Sequence, residues 1–78
     1  MGARERWAAS FVDELKPWRM EAAGDVAMFV TKPKVDNDPH GRLEVYHVWD
    51  GDDWVLATQN LRAAYNKYYE LAERKRRE

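Results

Sequence analysis

The sequence contains no cysteine and only four glycines and three prolines among its 78 residues. Without cysteine the chain forms neither a disulfide framework nor a thiolate metal site. Its apolar residues never run for the roughly 20 positions that a membrane-spanning helix needs. These absences predict one globular domain that works in the reducing cytoplasm without a membrane partner.

Residues that commonly carry out catalysis are also scarce. Ser10 is the only serine, and it lies in a predicted helix with no histidine in register, so no nucleophile–base pair is visible. The sequence has no glycine-rich phosphate loop. Most of its carboxylates fall in turns and loops, where water solvates them and no pocket holds them for acid–base work. We therefore expect no enzymatic activity and no cofactor.

The segment from Asp36 to His47 has the spacing of a calcium-binding EF-hand loop but lacks its chemistry. The last position of such a loop should be a bidentate glutamate and is His47, and Pro39 lies inside the loop. His40 and His47 are also too few for a zinc site when no cysteine is present. We predict that the chain binds no metal.

Residues 42–75 are predicted to form a tight β-hairpin that leads directly into a long amphipathic helix. The first strand alternates in period two and ends at the turn Asp50-Gly51-Asp52-Asp53, where Gly51 can take a positive φ. This turn places Trp49 opposite Trp54 and His47 opposite Leu56. Thr58 or Asn60 can cap the helix that follows. The apolar stripe of that helix consists of Leu61, Ala64, Tyr65, Tyr68, Leu71 and Ala72.

The first part of the chain predicts a helix at residues 4–16 and a strand at residues 26–32. Pro17 ends the helix, or opens a short helical turn that runs through Ala23 and stops at Gly24. The predicted fold is a small α+β domain of order α-β-β-β-α. A three-stranded antiparallel meander, with strands at about 26–32, 42–50 and 53–58, packs against a helix at about 59–76 and against the shorter N-terminal helix. That shorter helix either covers the second face of the sheet or leaves it for a partner or a second copy in a homodimer.

The charges are divided unevenly along the chain. Residues 20–58 carry eight acidic and three basic side chains, whereas residues 59–78 carry six basic and three acidic ones. The acidic sheet region favours a non-catalytic protein-binding module, for example a phage or mobile-element inhibitor that docks on a basic protein surface. We expect Trp18 and Trp54 to complete the core, although Trp18 can instead be an exposed anchor. The candidate partner-binding residues are Trp18, Lys34, Asp36, Asp38, Glu44, Tyr46, Asp50, Asp52 and Asp53.

The alternative is a DNA-binding module that uses the sheet or the basic C-terminal helix. The acidic strands argue against contact through the sheet, because phosphates require basic side chains around the reading surface. The basic cluster at the helix end also suits the negative end of the helix dipole without any ligand. The candidate nucleic-acid contacts are Lys32, Lys34, Arg42, Arg74, Lys75, Arg76 and Arg77.

Overall fold

Within the described residues, two α-helices pack on a four-stranded antiparallel sheet. The computed structural model describes residues 2–32 and 43–77. The strands lie in the order β1-β2-β3-β4. The predicted α+β class, with its antiparallel meander and long C-terminal helix, is confirmed, but the sheet has four strands rather than three. In chain order the elements are α1 (Ala3–Ala9), a 3₁₀ helix (Asp13–Leu15), β1 (Trp18–Ala23), β2 (Val26–Thr31), β3 (Val45–Asp50), β4 (Asp53–Thr58) and α2 (Leu61–Arg77).

The additional strand, β1, occupies the segment for which the sequence predicts a short helical turn. It pairs with β2 so that Trp18 lies opposite Val30 and Ala23 lies opposite Val26. Gly24, with a φ of 59°, begins a hairpin turn here instead of stopping a helix. Met, Glu and Ala favour a helix, but pairing with the buried strand β2 overrides this local preference.

The N-terminal helix is also shorter than predicted and ends at Ala9. The Ser10 hydroxyl donates a hydrogen bond to the Trp7 carbonyl at 2.6 Å, and Val12 has extended backbone geometry. A serine that bonds back to the preceding turn competes with helix propagation, and β-branched Val12 adds little helical preference. Residues 13–15 therefore form a separate 3₁₀ helix.

Both hairpins turn at a Gly-Asp pair, and the two turns lie side by side. Gly51 has a φ of 60°, and its amide donates a 2.9 Å hydrogen bond to the Asp25 carbonyl. A positive φ at the first central residue alone is the pattern of a type II′ turn, which glycine adopts without steric cost. We call this end of the strands, formed by residues 24–25 and 51–52, the turn end of the sheet. The opposite end of the strands, where β1 starts and β2 finishes, is the far end.

The predicted register of the second hairpin is partly confirmed. Trp49 lies opposite Trp54, and their rings stack at 5.7 Å with an interplanar angle of 4°. His47 lies opposite Ala57, not Leu56, because the register shifts between Val48 and Trp49. The extra residue, Val55, forms a β-bulge that returns Leu56 to the helix-covered face beside Val48.

Helix α2 covers one face of the sheet and builds the main core. Asn60 is its N-cap, because its side-chain oxygen accepts a hydrogen bond from the Ala63 amide at 3.1 Å. Thr58 supports the cap by accepting a 3.0 Å bond from the Asn60 amide. The predicted stripe is buried at Ala64, Tyr68 and Leu71, whereas Leu61, in the first turn, is 42% exposed. The core cluster consists of Val26, Met28, Val30, Tyr46, Val48, Ala64, Tyr68 and Leu71.

Helix α1 covers part of the second face through Trp7. The Trp7 ring centroid lies within 6 Å of four aromatic rings of the sheet, 4.9 Å from His47, 5.3 Å from Trp49, 5.6 Å from Phe29 and 5.9 Å from Trp54. The start of the helix is fixed at the turn end, where Arg4 donates to the Asp25 carbonyl and the Asp52 carboxylate. The chain itself therefore covers part of the second face, and Trp54 on that face stays 51% exposed.

Among the residues that the structure describes, no helix is both long and apolar enough to cross a bilayer.

Candidate protein-binding surface

Trp18 is the most exposed large apolar side chain in the described part of the chain, with 73% of its surface open to solvent. The expectation that it completes the core is therefore wrong. Its strand is an edge strand, and Trp18 lies at the far end, beside Val30 of β2. Among the described strands none flanks β1 on its outer side, so this edge of the sheet is open there. Trp54, the other tryptophan expected in the core, is 51% exposed.

Trp18 lines two grooves. The first has a volume of about 420 Å³ and the second about 450 Å³, and both share Trp18, Val30 and Lys32 as lining residues. The first groove is completed by Glu14, Leu15 and Lys16. The second groove is completed by Met20, Glu44, Tyr46, Leu61 and Tyr65. We call Trp18 and the residues that line both grooves the Trp18 surface.

Tyr46 fixes the position of Glu44 on this surface. Its hydroxyl donates a 2.6 Å hydrogen bond to Glu44 Oε2, and Lys32 Nζ lies 3.8 Å from Glu44 Oε1. The hydrogen bond to Glu44, together with burial and the negative charge of that carboxylate, raises the pKa of Tyr46 above its ordinary value of 10.0. Tyr46 therefore stays a neutral donor and holds the carboxylate in place. The Tyr46 ring is only 8% exposed, so it serves the core more than any contact.

The structure separates the acidic turn from Trp18. Asp50, Asp52 and Asp53 lie at the turn end, one strand length of about 20 Å from the far end. Asp50 Oδ1 pairs with Lys75 Nζ at 3.0 Å, and Asp52 Oδ1 accepts from the Arg4 amide at 3.4 Å. Two of the three candidate carboxylates in the turn therefore hold the chain's own helices. The remaining candidates, Lys34, Asp36 and Asp38, lie outside the described residues.

Three members of the basic cluster on α2 are engaged with carboxylates of the same chain. Arg74 pairs with Glu70 at 3.3 Å and Arg77 with Glu73 at 2.8 Å, the two i,i+4 pairs that the spacing favours. Lys75 lies against Asp50. Arg42 and Lys34, from the same hypothesis, lie outside the described residues, and Lys32 belongs to the Trp18 surface. Nucleic-acid binding stays a prediction that no described contact favours.

His47 is a core residue of the second sheet face. It is 6% exposed, contacts the rings of Trp7 and Trp54, and forms a 2.8 Å hydrogen bond between its Nε2 and Thr31 Oγ1. Burial lowers its pKa below the ordinary value of 6.5 because the imidazolium would lose its hydration. Within residues 2–32 and 43–77, no three side chains of the metal-binding types come together.

The burial of His47 predicts a loss of stability in mild acid. The unfolded chain binds a proton near the ordinary pKa of 6.5, whereas the folded chain does so only at lower pH. The contribution of His47 to the free energy of unfolding should therefore be constant above about pH 6.5 and fall as the pH is lowered below 6.5. Urea unfolding followed by tryptophan fluorescence between pH 7.5 and about 5, above most carboxylate titration, measures this change.

Two histidine variants separate the sources of that pH dependence. His40→Gln should retain it, because the protonation of a different residue is responsible. His47→Gln should flatten the curve over the same range. A curve that stays steep in His47→Gln would show that another group binds the proton.

Several residues of the Trp18 surface have no signal in the sequence as contact residues. Leu15, Met20, Leu61 and Tyr65 come from separate segments and read locally as apolar members of a core. Only the tertiary structure brings them to Trp18, Leu15 in the first groove and Met20, Leu61 and Tyr65 in the second. The proline before Trp18 is the one local hint, because it interrupts the preceding helix pattern.

Comparisons with models of known protein families, with curated proteins and with solved structures found no match. The proposal for this chain's function therefore rests on the chemistry of its own surface.

Proposed function

We propose that this chain is a non-catalytic protein-binding module whose partner binds at the Trp18 surface. The supporting observation is an indole that is 73% exposed and lines two grooves whose walls combine apolar and charged side chains. Tryptophan is one of the residue types that dominate the energy of protein interfaces. Burying a tryptophan removes roughly 150–250 Å² from water, and at about 25 cal/mol per Å² this is worth about 4–6 kcal/mol before the entropic cost of association.

The surface is held ready for a partner by the sheet beneath it. Val30 and Tyr46 are buried members of the central strands, and Trp18 is paired with Val30 in the ladder between β1 and β2. The Tyr46 hydroxyl holds the Glu44 carboxylate at the wall of the second groove. A surface built on strands loses little conformational freedom when it binds, so more of the contact energy becomes affinity.

Self-association by strand pairing receives little support from the two sheet edges. The register of β1 shifts between Arg19 and Glu21, and β4 carries the bulge at Val55. Bulges and charged side chains on an edge strand discourage the addition of another strand. A homodimer remains a prediction, and light scattering of the purified chain measures it.

The narrower hypothesis of a phage or mobile-element inhibitor depends on the acidic strand region. At the turn end, Asp50 and Asp52 make contacts within the chain. Because this end is about one strand length from Trp18, a basic partner surface that binds the acidic turn would make a second contact, separate from the one at Trp18. Both this role and the cytoplasmic location remain parts of the proposal.

The test is a comparison of partner capture by the wild type and two variants. Trp18→Ala should lose the partner while its thermal unfolding stays close to that of the wild type, because the side chain is mostly exposed. Val12→Ala, which truncates another apolar residue with 63% exposure, should keep the partner. The captured protein is then purified, and its binding to each variant is measured by calorimetry.

Truncating a dominant interface tryptophan costs about 2 kcal/mol or more, which weakens binding roughly thirtyfold. Equal affinity of Trp18→Ala and the wild type for the purified partner would remove the Trp18 surface as the binding site.

A further inference from the structure

The second face of the sheet carries a groove beside the aromatic cluster around Trp7. Phe29 lies opposite His47 in the ladder and therefore shares this face with it. Ala27 likewise lies opposite Trp49. The groove has a volume of about 410 Å³ and is lined by Arg4, Arg19, Ala22, Gly24, Ala27 and Phe29. Its two charged lining residues are both arginines, so the lining carries two positive charges and no negative one.

A β-bulge in β1 keeps a carboxylate away from this groove. Strict alternation along the strand would place Glu21, two positions after Arg19, on the same face as Arg19. The register shift between them instead pairs Glu21 with Met28 of the core beneath α2, and Ala22 takes the place on the arginine's face. Burial, and then the negative charge of Glu21, raise the pKa of Tyr68 in α2 above its ordinary value of 10.0, which agrees with this placement of Glu21.

Both arginines of the groove have N–H donors left for a ligand. Within residues 2–32 and 43–77, neither guanidinium forms an ion pair with a carboxylate. Arg4 donates from Nη1 to the Asp25 carbonyl at 3.2 Å, which fixes its guanidinium at the turn end. A guanidinium has five N–H donors, so this bond uses only a part of them. The carboxylates of Asp25 and Asp52 belong to the same turn end, and neither residue lines the groove.

We propose that this groove binds a phosphate monoester with an apolar organic group. Arginine recognises phosphate and carboxylate oxygens through its planar, bidentate fork of donors. A phosphate monoester carries a charge of about −1.5 to −2 at pH 7 and three acceptor oxygens, so it matches two guanidinium groups better than a single carboxylate does. Phe29, Ala22 and Ala27 supply the apolar part of the lining for the organic group. The site is separate from the Trp18 surface, since Trp18 does not line this groove.

The test is a titration with phenyl phosphate that is followed by the amide resonances in nuclear magnetic resonance. The amide resonances of Ala22 and Ala27 should shift saturably. Benzoate, which has the same ring but a single negative charge, should bind roughly tenfold more weakly. Arg19→Gln should weaken the binding of phenyl phosphate roughly tenfold or more, because it removes the charge from the hydrogen bonds to the phosphate oxygens.

Two control variants show whether the effect is local. Arg62→Gln removes an exposed arginine of α2 that does not line the groove, so this variant should bind phenyl phosphate like the wild type. Trp18→Ala should also bind it like the wild type, which separates this site from the test of the proposed function. Arg19 is itself exposed, so thermal unfolding of Arg19→Gln should stay close to that of the wild type. Equal weakening in Arg19→Gln and Arg62→Gln would show diffuse charge attraction and overturn the site.

Further arms of the titration identify the source of the phosphate. Tighter binding of a short phosphotyrosine peptide than of free phosphotyrosine would indicate a phosphorylated partner protein, and the reverse order a small molecule; both results support the site. A single-stranded oligonucleotide that binds more tightly than either, with the same dependence on Arg19, would overturn the monoester in favour of a nucleic acid. Equal binding of benzoate and phenyl phosphate would overturn the phosphate, and the absence of any saturable shift would overturn the site itself.

Discussion

Trp7→Ala should lower the free energy of unfolding by about 3 kcal/mol, as is typical when a packed tryptophan is truncated in a small domain. Trp7 is the residue through which α1 packs on the sheet, with Phe29, His47, Trp49 and Trp54 all within 6 Å of it. It is half-buried, so we place the effect at the lower end of the range for such changes. Urea unfolding of the variant and the wild type measures the difference.

The loss is large because α1 has little else to hold it. The helix has seven residues and buries none of them completely, and an isolated helix of that length is unstable in water. Its remaining described contacts include the two hydrogen bonds that Arg4 makes at the turn end. Without Trp7, we expect α1 to detach and the aromatic face around His47 to become accessible to water and to hydrophobic dyes.

The matched control is the same substitution at the exposed tryptophan. Trp18→Ala removes an equal number of atoms, but most of that side chain is already in water, so its effect on stability should stay within about 0.5 kcal/mol. A loss of stability in Trp7→Ala that is as small as the loss expected for Trp18→Ala would show that α1 does not depend on Trp7. Dye binding by Trp7→Ala but not by Trp18→Ala would show that the second face has opened.

Met28→Ala should cost about 3 kcal/mol and bring the domain near its unfolding midpoint in mild denaturant. Met28 is the largest side chain with no exposed surface, and it lies in the second strand beneath α2. Its truncation removes apolar contacts and leaves a cavity that the rigid sheet fills only in part. A domain of this length has a total stability of about 4–12 kcal/mol, so this loss is a large share.

Met20→Ala is the control for this prediction. Met20 is partly buried against the same core, but it lies on the edge strand, where neighbours can relax. Its truncation should cost clearly less than that of Met28, and chemical unfolding of the two variants side by side measures the difference. The opposite order would place the centre of the core at β1 rather than at β2.

The second half of the fold could be predicted from local patterns because its signals reinforce each other. Period-two alternation, a Gly-Asp turn and paired tryptophans point to the same hairpin, and Asn60 and the apolar stripe point to α2. The exact pairing was less predictable, because the bulge at Val55 depends on which residues the core accepts and not on local preference. The first strand was missed for the opposite reason, since its residues prefer a helix when they are considered alone.

The sequence by itself determined the α+β class, the second hairpin and the long terminal helix, because each depends on contacts between residues close in the chain. Only the tertiary structure decided that residues 18–23 form a strand, that Trp7 packs on the second face, and that Trp18 stays in water. These outcomes depend on long-range packing: β1 forms because it hydrogen-bonds to β2, and Trp18 is exposed because it lies on an edge strand that no other described strand flanks.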